Sequence, residues 1–234
     1  MTTQTLQATP THQTAVTQVV EANGTRIACR RFGMQDGVPL VFFQHFAGNL
    51  ENWDPKITDG FARDREVILF DNAGVASSGG EVPTTIEGMA RHAINLIEAL
   101  DITKVDLFGF STGSLIAQEV TVERPDLVRR LVLVGSAPRG GVGMAMMDPK
   151  FQAMVVKKYE TKDGFLLDSL FGSSEASQAD GCEFVIRLHE PTENRDVDVN
   201  DKVALAQTAA LAAWGAQARI PTPIQKASNN QSCW

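Results

Sequence analysis

Short apolar runs without alternation recur along the chain: Leu40-Val41-Phe42-Phe43, Val67-Ile68-Leu69-Phe70, Val105-Asp106-Leu107-Phe108 and Leu131-Val132-Leu133-Val134. Runs of this length and composition predict strands buried on both faces. Between the second and third, Ile86, Met89, Ala90, Ala93, Ile94, Ile97 and Leu100 fall on one face of an amphipathic helix over 84–100, with Thr84 and Glu87 as a capping box. A further helix follows the third run, and Pro125 stops it. Strands alternating with helices over 38–138 predict a mostly parallel, twisted sheet flanked by helices. Ahead of it, two extended stretches meet at Asn23-Gly24, the strongest short hairpin signal. Residues 1–16 read as a disordered polar tail.

The pattern changes after Pro138. Arg139-Gly140-Gly141-Val142-Gly143 reads as a hinge, and helical periodicity then runs uninterrupted by strand signals through 150–159, 164–171, 175–188 and 203–214. This predicts a helical cap over 139–215, inserted after a core over 17–138. Phe165, Leu166, Leu170, Phe171, Phe184 and Val185 would face the core or a pocket. Residues 216–234 begin like the lead-in to another strand and dissolve into a polar remnant.

The candidate chemistry sits at the third run. Gly109-Phe110-Ser111-Thr112-Gly113 joins a strand directly to a helix, which sets a serine at the apex of a sharp turn. Gly109 and Gly113 have a steric task there, because side chains would clash where strand and helix come close. The helix N-terminus favours negative charge developing at the serine oxygen. By contrast, the Gly/Ser-rich stretch 71–80 lacks the Lys-Ser/Thr ending and following helix of a phosphate cradle.

Together with Gln44-His45-Phe46-Ala47-Gly48-Asn49 and Asp71-Asn72-Ala73-Gly74-Val75-Ala76-Ser77-Ser78-Gly79, this turn makes the chain resemble the α/β-hydrolase superfamily over about residues 16–220. The resemblance implies a capped hydrolase acting on ester-like carbonyls of small-molecule substrates, with no metal or cofactor. It assigns Ser111 as nucleophile and the backbone N–H groups of Thr112 and Phe46 as the oxyanion hole. Phe46 follows from aligning Gln44-His45-Phe46 with the family's His-Gly-x, so His45 stands where glycine is usual. An acid and then a histidine complete the family's triad, in that chain order. No Asp, Glu or His follows Asp201, and Gly135-Ser136-Ala137-Pro138 offers no acid after the fourth run. The expectation is that the last strands are missing, and the acid and base with them. The histidines present read as tail (His12), loop beside the elbow (His45), solvated helix face (His92) and cap (His189). Two alternatives stand beside the hydrolase reading: a non-catalytic small-ligand-binding protein of the same fold, and a cofactor-free haloperoxidase or perhydrolase.

Composition adds boundaries. Hydrophobic residues make up 43%, as suits a packed core, and a net charge of -7 argues against nucleic acid or an anionic membrane as partner. Three scattered cysteines form no metal pattern and fit a reducing cytoplasm. A very apolar strand at 131–134 left at the sheet margin would favour self-association.

Overall fold

The computed structural model describes residues 10–141, 144, 149–157, 159–190 and 195–217. Strands β1 (Gln18–Ala22) and β2 (Thr25–Gly33) form the hairpin, with Asn23 and Gly24 both at positive φ (49° and 79°). That pair of dihedrals matches the twist of the flanking strands. The remaining strands are β3 (Leu40–Phe43), β4 (Glu66–Phe70), β5 (Val105–Phe110) and β6 (Val128–Val134). They form one sheet in the order β1-β2-β4-β3-β5-β6, antiparallel through β1, β2 and β4 and parallel from β4 to β6.

The period of two along each buried strand divides the core in two. Val41, Phe43, Ile68, Phe70, Val105 and Leu107 pack under helices α2 (Ile86–Ala99) and α3 (Thr112–Glu123). Leu40, Phe42, Val67 and Leu69 face the other way, against Leu50, Trp53 and Ala62 around helix α1 (Pro55–Ala62). The 131–134 run differs from its expectation as a buried strand. Val132 and Val134 are 43% and 40% exposed, because they alternate away from α3 on the last strand of the described sheet.

Two local readings are also corrected. The N-cap of α2 is Thr85, whose side chain accepts from the Gly88 N–H, so Thr84 and Glu87 do not form the expected box. The polar N-terminal stretch is not loose throughout: residues 1–9 lie outside the described residues, but His12 and Ala15 are buried. His12 Nδ1 meets Thr58 Oγ1 at 2.9 Å, and its N–H donates to Asp59 Oδ1.

Among the described residues, four helices follow the sheet: α4 (Pro149–Val156), α5 (Lys162–Leu170), α6 (Glu175–Leu188) and α7 (Asp201–Ala216). Several of their links to the core reach loops that follow the parallel strands at their carboxyl ends. Arg187 makes a bidentate pair with Asp54, Asn49 donates to Val197 O, Ser77 bonds Asp196, and Gln207 accepts from the Ala47 N–H. Leu166, Phe184 and Leu188 form a small apolar cluster of their own, flanked by Phe165, Phe171 and Val185.

Candidate active site

Ser111 is where β5 stops and α3 starts. Its backbone sits at φ 52°, ψ -122°, a conformation that side chains avoid and that costs about 1–3 kcal/mol unless the surroundings impose it. They do impose it. The Ser111 N–H donates to Val134 O at 2.8 Å, and its carbonyl accepts from both the N–H and Oγ of Ser114. The serine is the N-cap of α3, yet its side chain makes no capping bond, so the half-buried hydroxyl is left available.

The two glycines make this turn possible. A Cβ on Gly113 would lie 2.0 Å from Phe43 O, and one on Gly109 would lie 2.5 Å from Ser114 Cα. The missing side chains let the first turn of α3 rest directly on the end of β3. Phe43 pairs with Gly109 in register, so the loop leaving β3 and the elbow leaving β5 start side by side. Thr112 is buried at the first helical position of α3, where an N–H has no intrahelical acceptor. Phe46 is buried in the neighbouring loop and lines a cavity of about 330 Å³ with Ala47, Lys162, Phe165, Asp198 and Ala204.

The loop after β3 does not need glycine at position 45. Positive φ falls instead on Ala47, at 50°, and the His45 ring folds back so that Nδ1 lies 2.9 Å from Phe46 O. Burial lowers the His45 pKa to about 4, so the ring is neutral; a carbonyl can only accept, so Nδ1 carries the proton. Gln44 completes the brace, with Oε1 accepting from the His45 N–H and Nε2 donating to Asn49 O. Both side chains lie over Gly48, where a Cβ would meet Gln44 Cγ at 2.6 Å.

Asp71, at the end of β4, accepts from the Leu50 N–H and supports the same loop from below. Burial pushes its carboxyl well above the usual carboxylate range, and the neighbouring Asp196 carboxyl pushes it the same way. Lys162 is lowered by burial, against the pull of Asp198, Asp71, Asp163 and Asp196.

Among the described residues, none of the four histidines hydrogen-bonds Ser111. His45 Nε2 is buried without a partner. His189 caps the end of α6 and bonds Asp163. His12 is held on Thr58. His92, expected on a solvated face, is half-buried, and its Nδ1 has no partner. No group of His, Cys, Asp and Glu side chains suited to a metal ion occurs among the described residues. A second cavity of about 560 Å³ lies on the α1 side of the sheet, where Trp53, Phe108, Phe110 and Phe184 meet the charged Asp54 and Arg187.

The alpha/beta hydrolase fold family matches residues 38–178, more than half of the chain. The chain belongs to the α/β hydrolase fold family. A solved α/β hydrolase fold protein from Chitinophaga pinensis is 38% identical, with a TM-score of 0.84, over 89% of this chain and 75% of that one. A candidate carbamate hydrolase, RutD, of Rhizobium rhizogenes is 27% identical over 103 residues, which is 43% of this chain and 39% of the relative. A candidate non-heme bromoperoxidase, BpoC, of Mycobacterium tuberculosis is 35% identical over 104 residues, 44% of this chain and 40% of the relative. The matched region thus spans about two fifths of these curated relatives. Among the described residues, no helix of this α/β hydrolase chain is long and apolar enough to cross a membrane.

Two parts of the site were missed in the sequence: the brace by His45 and the contact from Gln207. The second left a readable trace. Val203, Gln207, Leu211 and Trp214 share one buried face of α7, so a lone amide interrupts an apolar stripe.

Proposed function

We propose that this chain is a serine hydrolase whose Ser111 attacks an ester-like carbonyl of a small molecule, the carbamate type included. Oγ adds to the carbonyl carbon and its proton passes to water. The N–H groups of Thr112 and Phe46 hold the resulting oxyanion. The leaving group departs with a proton, and water then cleaves the acyl-enzyme. The observation that carries this reading is the strained Ser111 backbone, held at a helix N-terminus with its hydroxyl uncommitted. Strain of this kind persists where the surroundings over-determine it, and it clusters at reactive sites.

No histidine touches Ser111 among the described residues, so the hydroxyl lacks the usual base. An oxyanion hole and binding without a working triad still leave about 10³–10⁴-fold acceleration over water. Turnover of an activated ester by this chain should therefore be slow, and should depend on the serine. The test is incubation with a fluorophosphonate probe, followed by mass analysis of the adduct. Labelling confined to Ser111 and absent from Ser111→Ala is expected; labelling that survives the substitution would refute the nucleophile.

That no histidine hydrogen-bonds Ser111 among the described residues also favours a second reading, a hydrolase-fold pocket that binds a small ligand without converting it. A ligand that raises the melting temperature and is recovered unchanged would support it. The likeness to the bromoperoxidase-named relative keeps peroxide chemistry on the same serine as a third, separated by an assay with acetate, peroxide and halide. The unpaired Cys29 and Cys182 fit a reducing, cytoplasmic setting.

A further inference from the structure

The peptide unit between Phe46 and Ala47 is held at both of its polar atoms by side chains. On one side His45 Nδ1–H donates to Phe46 O at 2.9 Å. On the other, the Ala47 N–H donates to Oε1 of Gln207 at 2.6 Å, across 160 residues of chain. The amide orientation of Gln207 is fixed by this contact, since an N–H can only donate. The unit needs holding, because Ala47 has φ 50°, a region unfavourable for any residue but glycine. The preceding peptide is pinned separately, with His45 O accepting from the Gly48 N–H at 3.2 Å. Of these restraints only Gln207 comes from outside the loop. It is 1% exposed on the buried face of α7. The far end of α7 is anchored in turn, with Trp214 O accepting from the Gly140 N–H and the Arg139 guanidinium 5.1 Å over the Trp214 ring.

We propose that Gln207 is a positioning residue for the oxyanion loop: with His45 it clamps the Phe46–Ala47 peptide, so the hole at Phe46 is formed only when α7 is docked. This rests on the reading of the Phe46 N–H as an oxyanion donor. Gln207 touches no reacting atom. The donor N–H belongs to the preceding His45–Phe46 peptide, so Gln207 acts one peptide along: fixing the Phe46–Ala47 unit holds the course of the loop that carries the donor. The structure thereby ties the reactivity of Ser111 to the seating of a helix that begins 90 residues later in the chain.

The experiment compares Gln207→Met, which keeps the length and removes the acceptor, with Gln207→Glu, which keeps an acceptor oxygen. Fluorophosphonate labelling of the full chain is resolved into probe affinity and maximal inactivation rate, and exchange of the Ala47 amide is followed by NMR. In Gln207→Met the maximal rate should fall about 10–100-fold, less than the roughly 10²–10³-fold of deleting an oxyanion donor outright, with unchanged affinity and faster Ala47 exchange. Gln207→Glu should recover most of the rate. A Met variant labelled as fast as wild type overturns the proposal. So does a Glu variant as slow as the Met variant while its Ala47 amide stays protected. A wild-type chain that is not labelled at all refutes the nucleophile instead. The clamp is then judged by the exchange alone, and an Ala47 amide indifferent to Gln207→Met overturns it.

Discussion

At the elbow, stability and chemistry pull in opposite directions on single residues. Ser111 occupies a conformation suited to glycine, so Ser111→Gly should relieve strain of about 1–3 kcal/mol, offset by a greater loss of chain entropy. The net expectation is a gain of about 1 kcal/mol in urea unfolding, with loss of all fluorophosphonate labelling; a destabilised variant would show that the strain is not there. Gly113→Ala should do the reverse. Its Cβ would press on a backbone oxygen 2.0 Å away, which cannot move without breaking β3 from α3. A loss of about 3 kcal/mol or more is expected by the same measurement. Both effects are legible in the sequence, since a Gly-x-Ser-x-Gly between an apolar run and a helix specifies the turn through sterics alone. His45 was not legible in this way. Its position suggested a glycine that the loop in fact needs three residues on, at Gly48, where the Gln44 and His45 side chains fill the place of a Cβ, while the positive φ falls on Ala47.

Elements were readable where a local pattern decides them and unreadable where a distant contact does. The Asn23-Gly24 hairpin and the four buried runs declare themselves within a few residues. The N-terminal segment does not. Thr, Gln and His read as a solvated tail, yet residues 11–15 seat His12 against α1 through Thr58 and Asp59. This has a consequence for pH. Burial is the largest influence on His12, the charge of Arg30 adds to it, and Asp54 opposes; the pKa falls from 6.5 to about 4. The unfolded chain therefore binds the proton first as pH drops, and stability is lost between those two values. Between about pH 7.5 and about pH 4.5 the cost is roughly 2–3 kcal/mol. His45 carries a similar shift and adds to the slope, whereas the raised Asp71 acts with opposite sign. The His12 share is isolated by urea unfolding of wild type and His12→Asn at both pH values. Asparagine can still bond Thr58 but does not titrate, so the wild type should lose roughly 2–3 kcal/mol more than the variant on acidification. Parallel losses would mean that His12 is protonated in the folded state without penalty.

For the molecule as a whole, the sheet has, among the described residues, one managed edge and one open one. At the first, β1 is mostly exposed on a short hairpin, and its single buried residue is Ala22. At the other, β6 offers unpaired backbone groups together with Val132 and Val134. On the same face lie the partly exposed Phe108 and Phe110 of β5, and Ile57 and Phe61 of α1 are 43% and 38% exposed. Of the two arginines of β6, Arg129 is turned onto Asp106, which it shares with Arg65, so the exposed Arg130, two residues before Val132, is left to guard this edge. An apolar edge of this kind templates pairing with another chain, and the adjoining apolar face adds area to any such contact. The sequence forecast the edge, because Leu131-Val132-Leu133-Val134 is the last apolar run before the helices. It could not show which of those residues remain bare, since that depends on the alternation that turns Leu131 and Leu133 towards α3 and the even-numbered valines outward. The wild-type chain should accordingly sediment as larger species with rising concentration, whereas Val132→Lys combined with Val134→Lys should remain monomeric and keep its melting temperature. The lysines would bury no charge in the monomer but would face an apolar partner in any edge-to-edge pair. A wild-type chain that stays monomeric across the concentration series would mean that the described surface is covered in solution and that this edge is not available for pairing.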